Sequence, residues 1–238
     1  MKEKIILPIK YPKITSYSGL ANLFSIISTN YHANHWIYDN FINLWCEDYS
    51  PDYLCQLRFE SVYIRYVCPV IETRAIRANY LQQLNLNVID AIKSALQIGS
   101  YVMCNYDRFY ISYCNNYNKV HREHQCLIYG FDGEKEVFYF ADFLNHDKYE
   151  FVEVEYNVFE KAFTNYQIEL IIYKNYYTTY DRSLLLNNID DFLNSTRTNH
   201  SCGKTLSGPE KSLASSGKMI YGLSCYDFVI DCLVQCNI

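Results

Sequence analysis

Two stretches decide the fold of this chain: Tyr-Ser-Gly-Leu-Ala-Asn-Leu at residues 17–23, and His-Gln-Cys-Leu-Ile-Tyr-Gly-Phe-Asp at residues 124–132. In the first stretch and just after it, apolar residues recur with the three-to-four spacing of one helix face. This spacing predicts a helix that begins at or just after Ser18. The second stretch is a largely apolar run that ends in Asp132-Gly133, a strong hairpin signal. A buried helix followed much later by an antiparallel strand pair is therefore expected.

The pattern around these stretches changes from helix to strand near Tyr101. Helices are predicted at about residues 18–28, 36–47 and 87–99. Strands are predicted at about 101–106, 109–114, 124–131, 136–142, 149–156 and 166–173, with a short helix at 157–164. After Tyr180 come a helix at 182–194, a polar loop at 195–208 and further helical segments. Strands joined by turns pair antiparallel, so the prediction is an α+β fold: N-terminal helices, an antiparallel sheet, and extra C-terminal helices.

Composition narrows the classes of function. The chain has 238 residues, a net charge of −5 and 50% hydrophobic residues, which is typical of a folded globular protein without a nucleic-acid partner. No apolar run is long enough to span a membrane, and no basic-then-apolar leader is present, so a cytoplasmic location is expected. The ten cysteines lie mostly in apolar stretches and are interpreted as reduced thiols. No cysteine or histidine spacing fits a metal site.

Three residues in order along the chain could carry nucleophilic catalysis. Ser18 opens a buried helix, where the helix dipole and free N–H groups would stabilise a thiolate or an oxyanion. His124 begins one strand of the predicted hairpin and Asp142 ends the other, so antiparallel pairing would bring them side by side. His124 would then take a proton from residue 18, and Asp142 would fix the tautomer of the ring. The alternative for Ser18 alone is an ordinary N-cap.

These motifs resemble a known family. The pattern His124-x-x-x-Ile128-x-Gly130-x-Asp132, followed by Asp142, is similar to the hairpin of papain-fold, C39-peptidase-like cysteine enzymes. The tyrosine-rich stretch 101–113 before it resembles more closely the butirosin biosynthesis protein H type. The resemblance covers about residues 10–175.

The resemblance implies a fold, an activity and partners. It implies a papain-like acyltransferase domain at residues 1–175, with 176–238 as a helical extension packed on the same domain. The implied activity moves an acyl group from an acyl carrier protein thioester to a small-molecule amine in secondary-metabolite biosynthesis. No cofactor of its own is expected, because the phosphopantetheine is carried by the partner protein. Lys2, Lys4, Lys10 or Lys13, together with Arg74 and Arg77, are predicted to help dock the acidic carrier, and the alternative is that these lysines are ordinary solvated residues.

Two departures from the family pattern affect the predicted site. C39 peptidases place a glutamine shortly before the nucleophile, and residues 11–17 contain none. The oxyanion would then rely on the backbone N–H groups of Ser18 and Gly19, with the Thr15, Tyr11 or Tyr17 hydroxyl as a candidate side-chain donor. His121 is a candidate substrate-channel residue.

The second departure is Ser18 itself, which stands where the family has its nucleophilic cysteine. A hydroxyl has too high a pKa to form the thiolate–imidazolium pair that such a site uses. We interpret the serine as an inactivating change, engineered or natural, and a true serine nucleophile is the remaining alternative. Two other functions stay open: a C39-like cysteine peptidase, and a non-catalytic binding protein that kept the fold.

Overall fold

The computed structural model describes residues 4–31, 33–48, 57–59, 68–145, 148–174, 177–196 and 218–235. They form two compact units. The first unit is drawn from residues 1–31 and 68–176, and the second from 32–67 and 177–238. The predicted domain of residues 1–175 stays a prediction, and the structure groups residues 32–67 with the C-terminal part of the chain. The loop predicted at 195–208 lies largely outside the described residues.

The first unit is built on a seven-stranded antiparallel sheet. Its strands are β1 (Lys4–Ile6), β4 (Ile71–Arg77), β5 (Ser100–Asp107), β6 (Glu123–Asp132), β7 (Val137–Phe143), β8 (Tyr149–Glu155) and β9 (Phe163–Tyr173). Six strands run in the spatial order β4-β9-β5-β6-β7-β8, and β1 pairs with the end of β6. The helices of this unit are α1 (Ser18–Ile27), α3 (Ala78–Gln83), α4 (Val88–Gln97) and α5 (Tyr156–Ala162). An antiparallel sheet with separate helices confirms the predicted α+β class.

Both faces of the central strands β5 and β6 are covered, which explains their near-continuous apolar sequences. On one face, a core cluster joins alternate residues of these strands to Ile92 of α4 and Phe159 of α5, both fully buried. On the other face lies α1, where buried Tyr149 donates its hydroxyl to Asn22 at 2.8 Å. The predicted helix start at Ser18 is confirmed. The periodic face identified its core side, although Asn22 and Ser25 are fully buried as well.

Asp132 holds the β6–β7 hairpin and also closes β1 onto it. Its Oδ1 accepts the backbone N–H groups of Glu134 and Lys135, both at 3.2 Å, and this fixes the turn. Its Oδ2 forms an ion pair with Lys4 at 3.0 Å. The hairpin predicted from Asp132-Gly133 is confirmed, with Glu136 at positive φ completing the turn.

Two predicted elements are wrong, each because a polar side chain ends the regular structure. The strand predicted at 109–114 is a 3-10 helix at Arg108–Tyr110, since the Asp107 carboxylate caps it by accepting the Phe109 N–H at 3.0 Å. The helix predicted at 36–47 ends at Asn40, and a strand begins at Leu44, next to Asn43, whose side chain accepts the Leu44 N–H. The predicted Asn87 cap of α4 is confirmed by its hydrogen bond with the Ile89 N–H.

The second unit contains α2 (Ala33–Asn40), β2 (Leu44–Asp48), β3 (Arg58–Phe59), α6 (Arg182–Asn194), β10 (Lys218–Tyr221) and α7 (Ser224–Gln235). Its strands form a small antiparallel sheet in the order β10-β2-β3. Asp39 links α2 to the start of α6 by accepting the Asp181 N–H at 2.8 Å. Over the described residues of the whole chain, every helix is too short or too polar to cross a bilayer.

Gly130 is required where β1 crosses β6. A Cβ at this position would lie 2.4 Å from the Ile5 carbonyl oxygen and 3.0 Å from the Ile6 Cα, both of them backbone atoms. We expect Gly130→Ala to lower the free energy of unfolding by about 2–3 kcal/mol, because the strands must move apart. Urea denaturation measures this loss. Gly99→Ala is the control: its φ is +84° with open space around it, so only backbone strain of about 1 kcal/mol is expected. Equal losses in the two variants would contradict the steric explanation.

Candidate active site

His124 and Asp142 form a hydrogen-bonded pair at the end of the β6–β7 hairpin. The His124 Nδ1 lies 2.6 Å from Asp142 Oδ2. The His124 side chain is 26% exposed, whereas that of Asp142 is fully buried. With Nδ1 held by the carboxylate, the ring presents Nε2 as its second nitrogen for proton transfer. The structure thus brings these two predicted residues together, and their catalytic role stays a prediction.

Tyr106, fully buried, extends this pair into a chain of three side chains. It lies opposite His124 in the β5–β6 register, and its hydroxyl donates to Asp142 Oδ2 at 2.7 Å. The same hydroxyl lies 3.6 Å from the Cys114 sulfur. Burial, followed by the charge of Asp142, raises the pKa of Tyr106 far above its usual value, so the phenol stays protonated and remains a donor.

The environment of Asp142 opposes its negative charge. Burial raises the pKa of this carboxyl, and the hydrogen bonds from His124 and Tyr106 act in the opposite direction. Its Oδ1 is buried and has no hydrogen-bond partner among the described residues. The ionised form of Asp142 therefore depends mainly on His124 and Tyr106 at Oδ2, with a smaller contribution from the Phe143 N–H.

Arg108 fixes the chain that follows Asp142. Its guanidinium is buried, and Nη2 donates to the carbonyl oxygens of Phe143 at 3.0 Å and Leu144 at 2.9 Å. Arg108 comes two residues after Tyr106. One short segment at the end of β5 therefore holds both the side chain of Asp142 and the backbone after it.

Position 18 lies at the same end of β6, on the α1 side of the sheet. Tyr17 is the N-cap residue of α1, without a capping side-chain hydrogen bond, so Ser18 is the first helical residue and not the cap. A Cβ on Gly19 would lie 3.6 Å from Gln125 Oε1, which places the helix start beside the residue after His124. The Ser18 hydroxyl forms no hydrogen bond with His124 or with any other described residue. The nucleophile position and His124 thus lie at the same end of β6.

The other predicted site residues are placed as follows. Thr15 and Tyr17 are exposed, and the Tyr17 ring lies over Gly19, 2.8 Å from where a Cβ would stand. The first N–H groups of α1 have no side-chain cap, so they suit an oxyanion. His121 is hydrogen-bonded to Asp107 at 2.6 Å and is exposed to solvent. Within the described ranges, no three His, Cys, Asp or Glu side chains group as metal ligands.

Sequence reasoning missed Tyr106, Asp107, Arg108 and Gln125. Each is positioned by the β5–β6 register or by the loop after β5, neither of which a single sequence defines. Spacing alone identified the hairpin pair, because a hairpin's register follows from its own turn. The signal that could have identified Tyr106 is its place at the end of the predicted strand 101–106.

Removing the Tyr106 hydroxyl tests its action through Asp142. Because this donor lowers the pKa of the carboxyl, Tyr106→Phe should move protonation of Asp142, and with it the acidic limb of turnover, to higher pH. A loss of one hydrogen bond predicts roughly 5–30-fold lower turnover at neutral pH. The measurement is a pH–rate profile in a protein that carries an active nucleophile.

Tyr101→Phe is the matched control for this substitution. Tyr101 lies on the same strand and donates its hydroxyl to the Pro8 carbonyl, away from the carboxylate. It should leave the pH profile in place. An unchanged acidic limb in Tyr106→Phe, or equal shifts in both variants, would contradict the role of Tyr106.

A helix that begins with position 18, packed on a sheet whose neighbouring strands carry His124 and Asp142, is a papain-like arrangement. Residues 72–143 match the family model described as butirosin biosynthesis protein H, N-terminal. The match confirms the predicted resemblance over this segment, which contains Tyr106, His121, His124 and Asp142. Position 18 lies outside it. No curated protein matches the chain. The matched family is named for a biosynthesis protein.

Proposed function

We propose that the chain has the architecture of an acyltransferase that forms an amide, and that its serine makes it inactive or very slow. The acyl group would come from an acyl carrier protein thioester, and the acceptor would be a small-molecule amine. The observation that carries the proposal is the buried chain Tyr106–Asp142–His124 at the end of the sheet where α1 begins. The family match over residues 72–143 supports a biosynthetic reaction over peptide cleavage.

The proposed reaction has two halves and needs cysteine at position 18. In the first, His124 Nε2 takes the thiol proton, the thiolate attacks the thioester carbonyl, and the carrier thiol leaves with that proton. The first N–H groups of α1 hold the oxyanion. In the second, the amine nitrogen attacks the acyl-enzyme and forms the C–N bond. The C–S bond breaks, the thiolate leaves, and the proton of the amine nitrogen passes to His124.

Asp142 would stabilise the imidazolium that forms during acylation. The contact at 2.6 Å fixes the ring with Nε2 free, and its burial strengthens the attraction between the two charges. Ser18 cannot enter this pair, because a hydroxyl does not ionise near neutral pH. The proposal therefore predicts that His124 and Asp142 are correctly positioned but that the nucleophile is missing.

One observation favours a second candidate, a non-catalytic binding protein. Ser18 makes no hydrogen bond to His124 in the part of the chain that the structure describes, whereas a working serine nucleophile needs its base within hydrogen-bonding reach. The experiment that separates the two candidates is the acylation of Ser18→Cys by an acyl-carrier thioester, followed by mass spectrometry. An adduct at residue 18 that an amine releases as an amide supports the transferase. Release as a free acid would favour a peptidase-like hydrolase, and no adduct favours the binding protein.

Lys10 and Lys13 are the lysines that we propose for docking the carrier. Lys4 is committed to Asp132 at 3.0 Å and lies over the Tyr139 ring, and Lys2 is outside the described residues. Lys10 and Lys13 are exposed on the segment that leads into α1.

Charge reversal tests this docking surface. Lys10→Glu with Lys13→Glu should lower carrier-dependent acylation of the Ser18→Cys protein about 3–10-fold at low salt, because attraction to an acidic partner mainly raises the association rate. Acylation rates at low and high salt provide the measurement. Lys148→Glu, at another exposed lysine, is the control. An unchanged rate for the double variant at low salt would refute the docking surface.

A further inference from the structure

A second histidine–carboxylate pair lies beside the candidate active site, at the end of β5. His121 Nδ1 is 2.6 Å from Asp107 Oδ2, and the histidine side chain is 65% exposed. Asp107 Oδ1 accepts the backbone N–H groups of Phe109 and Arg122, both at 3.0 Å. Burial works to raise the pKa of Asp107, but the hydrogen bonds from His121 and these backbone groups outweigh it and lower the pKa. The carboxylate is therefore ionised at neutral pH, and both of its oxygens are hydrogen-bonded.

Aromatic rings fix the orientation of the His121 imidazole. The ring stacks on Phe109 with centroids 4.1 Å apart and an angle of 18°, and Tyr110 packs against its edge at 6.0 Å. Nε2 of His121 has no hydrogen bond to any described residue. The imidazole is thus held on one nitrogen and one face, with its other nitrogen open to solvent.

The strand register places Asp107 on the same face as the start of α1. Asp107 pairs with Glu123, and Asn105 pairs with Gln125, so alternation puts these four side chains on one face. Gln125 lies against Gly19, next to the nucleophile position. Two residues along a strand span about 7 Å, so Asp107 lies one such step along the sheet from the row of Asn105 and Gln125, where the helix start is in contact.

The chemistry of this surface suits a protonated amine. Asp107 and Glu123 supply negative charge beside the exposed imidazole of His121. A primary alkylamine carries a positive charge at neutral pH and must lose a proton before its nitrogen can attack an acyl group. An open imidazole nitrogen held by a carboxylate is a suitable acceptor for that proton.

We propose that His121, oriented by Asp107, is the base that receives the proton of the acceptor amine, within a subsite formed with Glu123, Phe109 and Tyr110. This inference rests on the proposed function and names the site of its second substrate. The ammonium passes one proton to His121 Nε2, and its nitrogen then forms the C–N bond. As the C–S bond to residue 18 breaks, the second proton of that nitrogen passes to His124. The thiolate leaves and His121 returns the proton to solvent. In this scheme His124 takes the proton of the thiol, and His121 takes the ammonium proton of the acceptor.

The test separates the two half-reactions in the Ser18→Cys protein. The acyl-enzyme is isolated and mixed with butylamine, which is protonated at neutral pH, or methoxyamine, which is neutral. His121→Ala should slow amide formation from butylamine about 10–100-fold and from methoxyamine much less, since only butylamine must lose an ammonium proton before its nitrogen can attack. Acylation by the thioester should stay within about twofold. Equal slowing with both amines, slower acylation, or no change with butylamine would overturn the inference.

Asp107→Asn distinguishes a role of Asp107 in orienting His121 for proton transfer from a role in holding the loop after β5. Asparagine keeps an oxygen for the Phe109 and Arg122 N–H groups, which hold the loop, and removes the charge that faces His121. Like His121→Ala, it should slow amide formation from butylamine more than from methoxyamine. Its free energy of unfolding should equal that of the parent. His35→Ala is the control, because His35 also stacks on an aromatic ring, that of Tyr180 at 4.0 Å, but in the second unit. If Asp107→Asn forms amides from both amines as fast as its parent, the proposed role of the carboxylate is wrong.

A second readout does not depend on acyl transfer. In the chain as it stands, butylammonium should shift the His121 ring signals in NMR spectra, and Asp107→Asn should weaken this shift. If Ser18→Cys is never acylated but the shift occurs, the transferase proposal fails while the amine subsite stands. If butylammonium leaves the His121 signals in place, the subsite is refuted, whatever the fate of the acyl group.

Discussion

The Ser18→Cys protein should gain acyl transfer by a factor of roughly 10²–10⁴ or more over the chain as it stands. Position 18 is the first residue of α1, where the uncapped N–H groups and the helix dipole stabilise a thiolate. Serine offers no ionised form for His124 to pair with. The measurement is burst acylation by an acyl-carrier thioester, read by intact-protein mass spectrometry and peptide mapping.

The control for this gain is Ser16→Cys, which adds an exposed thiol two residues before the helix. It lacks the helix N-terminus, so it should react only at the rate of a free thiol. Peptide mapping should place the adduct at residue 18 alone, although the chain has ten cysteines of its own. Acylation at one of those cysteines, or equal rates in the two variants, would show that position 18 is not the nucleophile site.

His124→Ala in the Ser18→Cys background should abolish acyl-enzyme formation on the time scale of the parent reaction, a loss of roughly 10²–10⁴. Without the imidazole the thiol stays near a free pKa of about 8.5 and is mostly protonated at neutral pH. The His124 side chain is 26% exposed, so its removal should leave the fold intact. The acylation rate against pH is the measurement, and the lost activity should return partly at high pH, where the thiol ionises by itself.

Asp142→Asn should cost less than His124→Ala, because Asp142 orients the ring and takes no part in bond formation. Asparagine keeps an oxygen for both His124 and Tyr106, so a mild loss would show that orientation matters more than charge. A His124→Ala protein that is acylated as fast as its parent would remove His124 from the mechanism. In that case His121 would become the candidate base for both half-reactions.

Local signals predicted the parts of the fold that local interactions determine. The face of α1, the Asn87 cap and the Asp132-Gly133 hairpin each depend on residues a few positions apart, and the structure contains all three. The His124–Asp142 contact also followed from a hairpin, since the turn fixes the register of its two strands. Sequence reasoning therefore reached the imidazole and its carboxylate.

Non-local pairing explains what the sequence did not show. β1 pairs with β6 and β4 pairs with β9 across long stretches of chain, and no local pattern chooses such partners. Tyr106 reaches Asp142 only because β5 lies beside β6. The aromatic run after Asp107 has the pattern of a strand. The Asp107 side chain, however, accepts the Phe109 N–H and turns the chain.

The packing of α1 against strands formed from the middle of the chain has a consequence for synthesis on the ribosome. Asp142 is translated roughly 120 residues after Ser18, a delay of about 6–24 s at 5–20 residues per second. During that interval a thiol at position 18 has neither its base nor the sheet that orders its helix. A nascent cysteine form is therefore no more reactive than a free thiol until β6 and β7 have paired. Reactivity at position 18 therefore appears only after the sheet has folded.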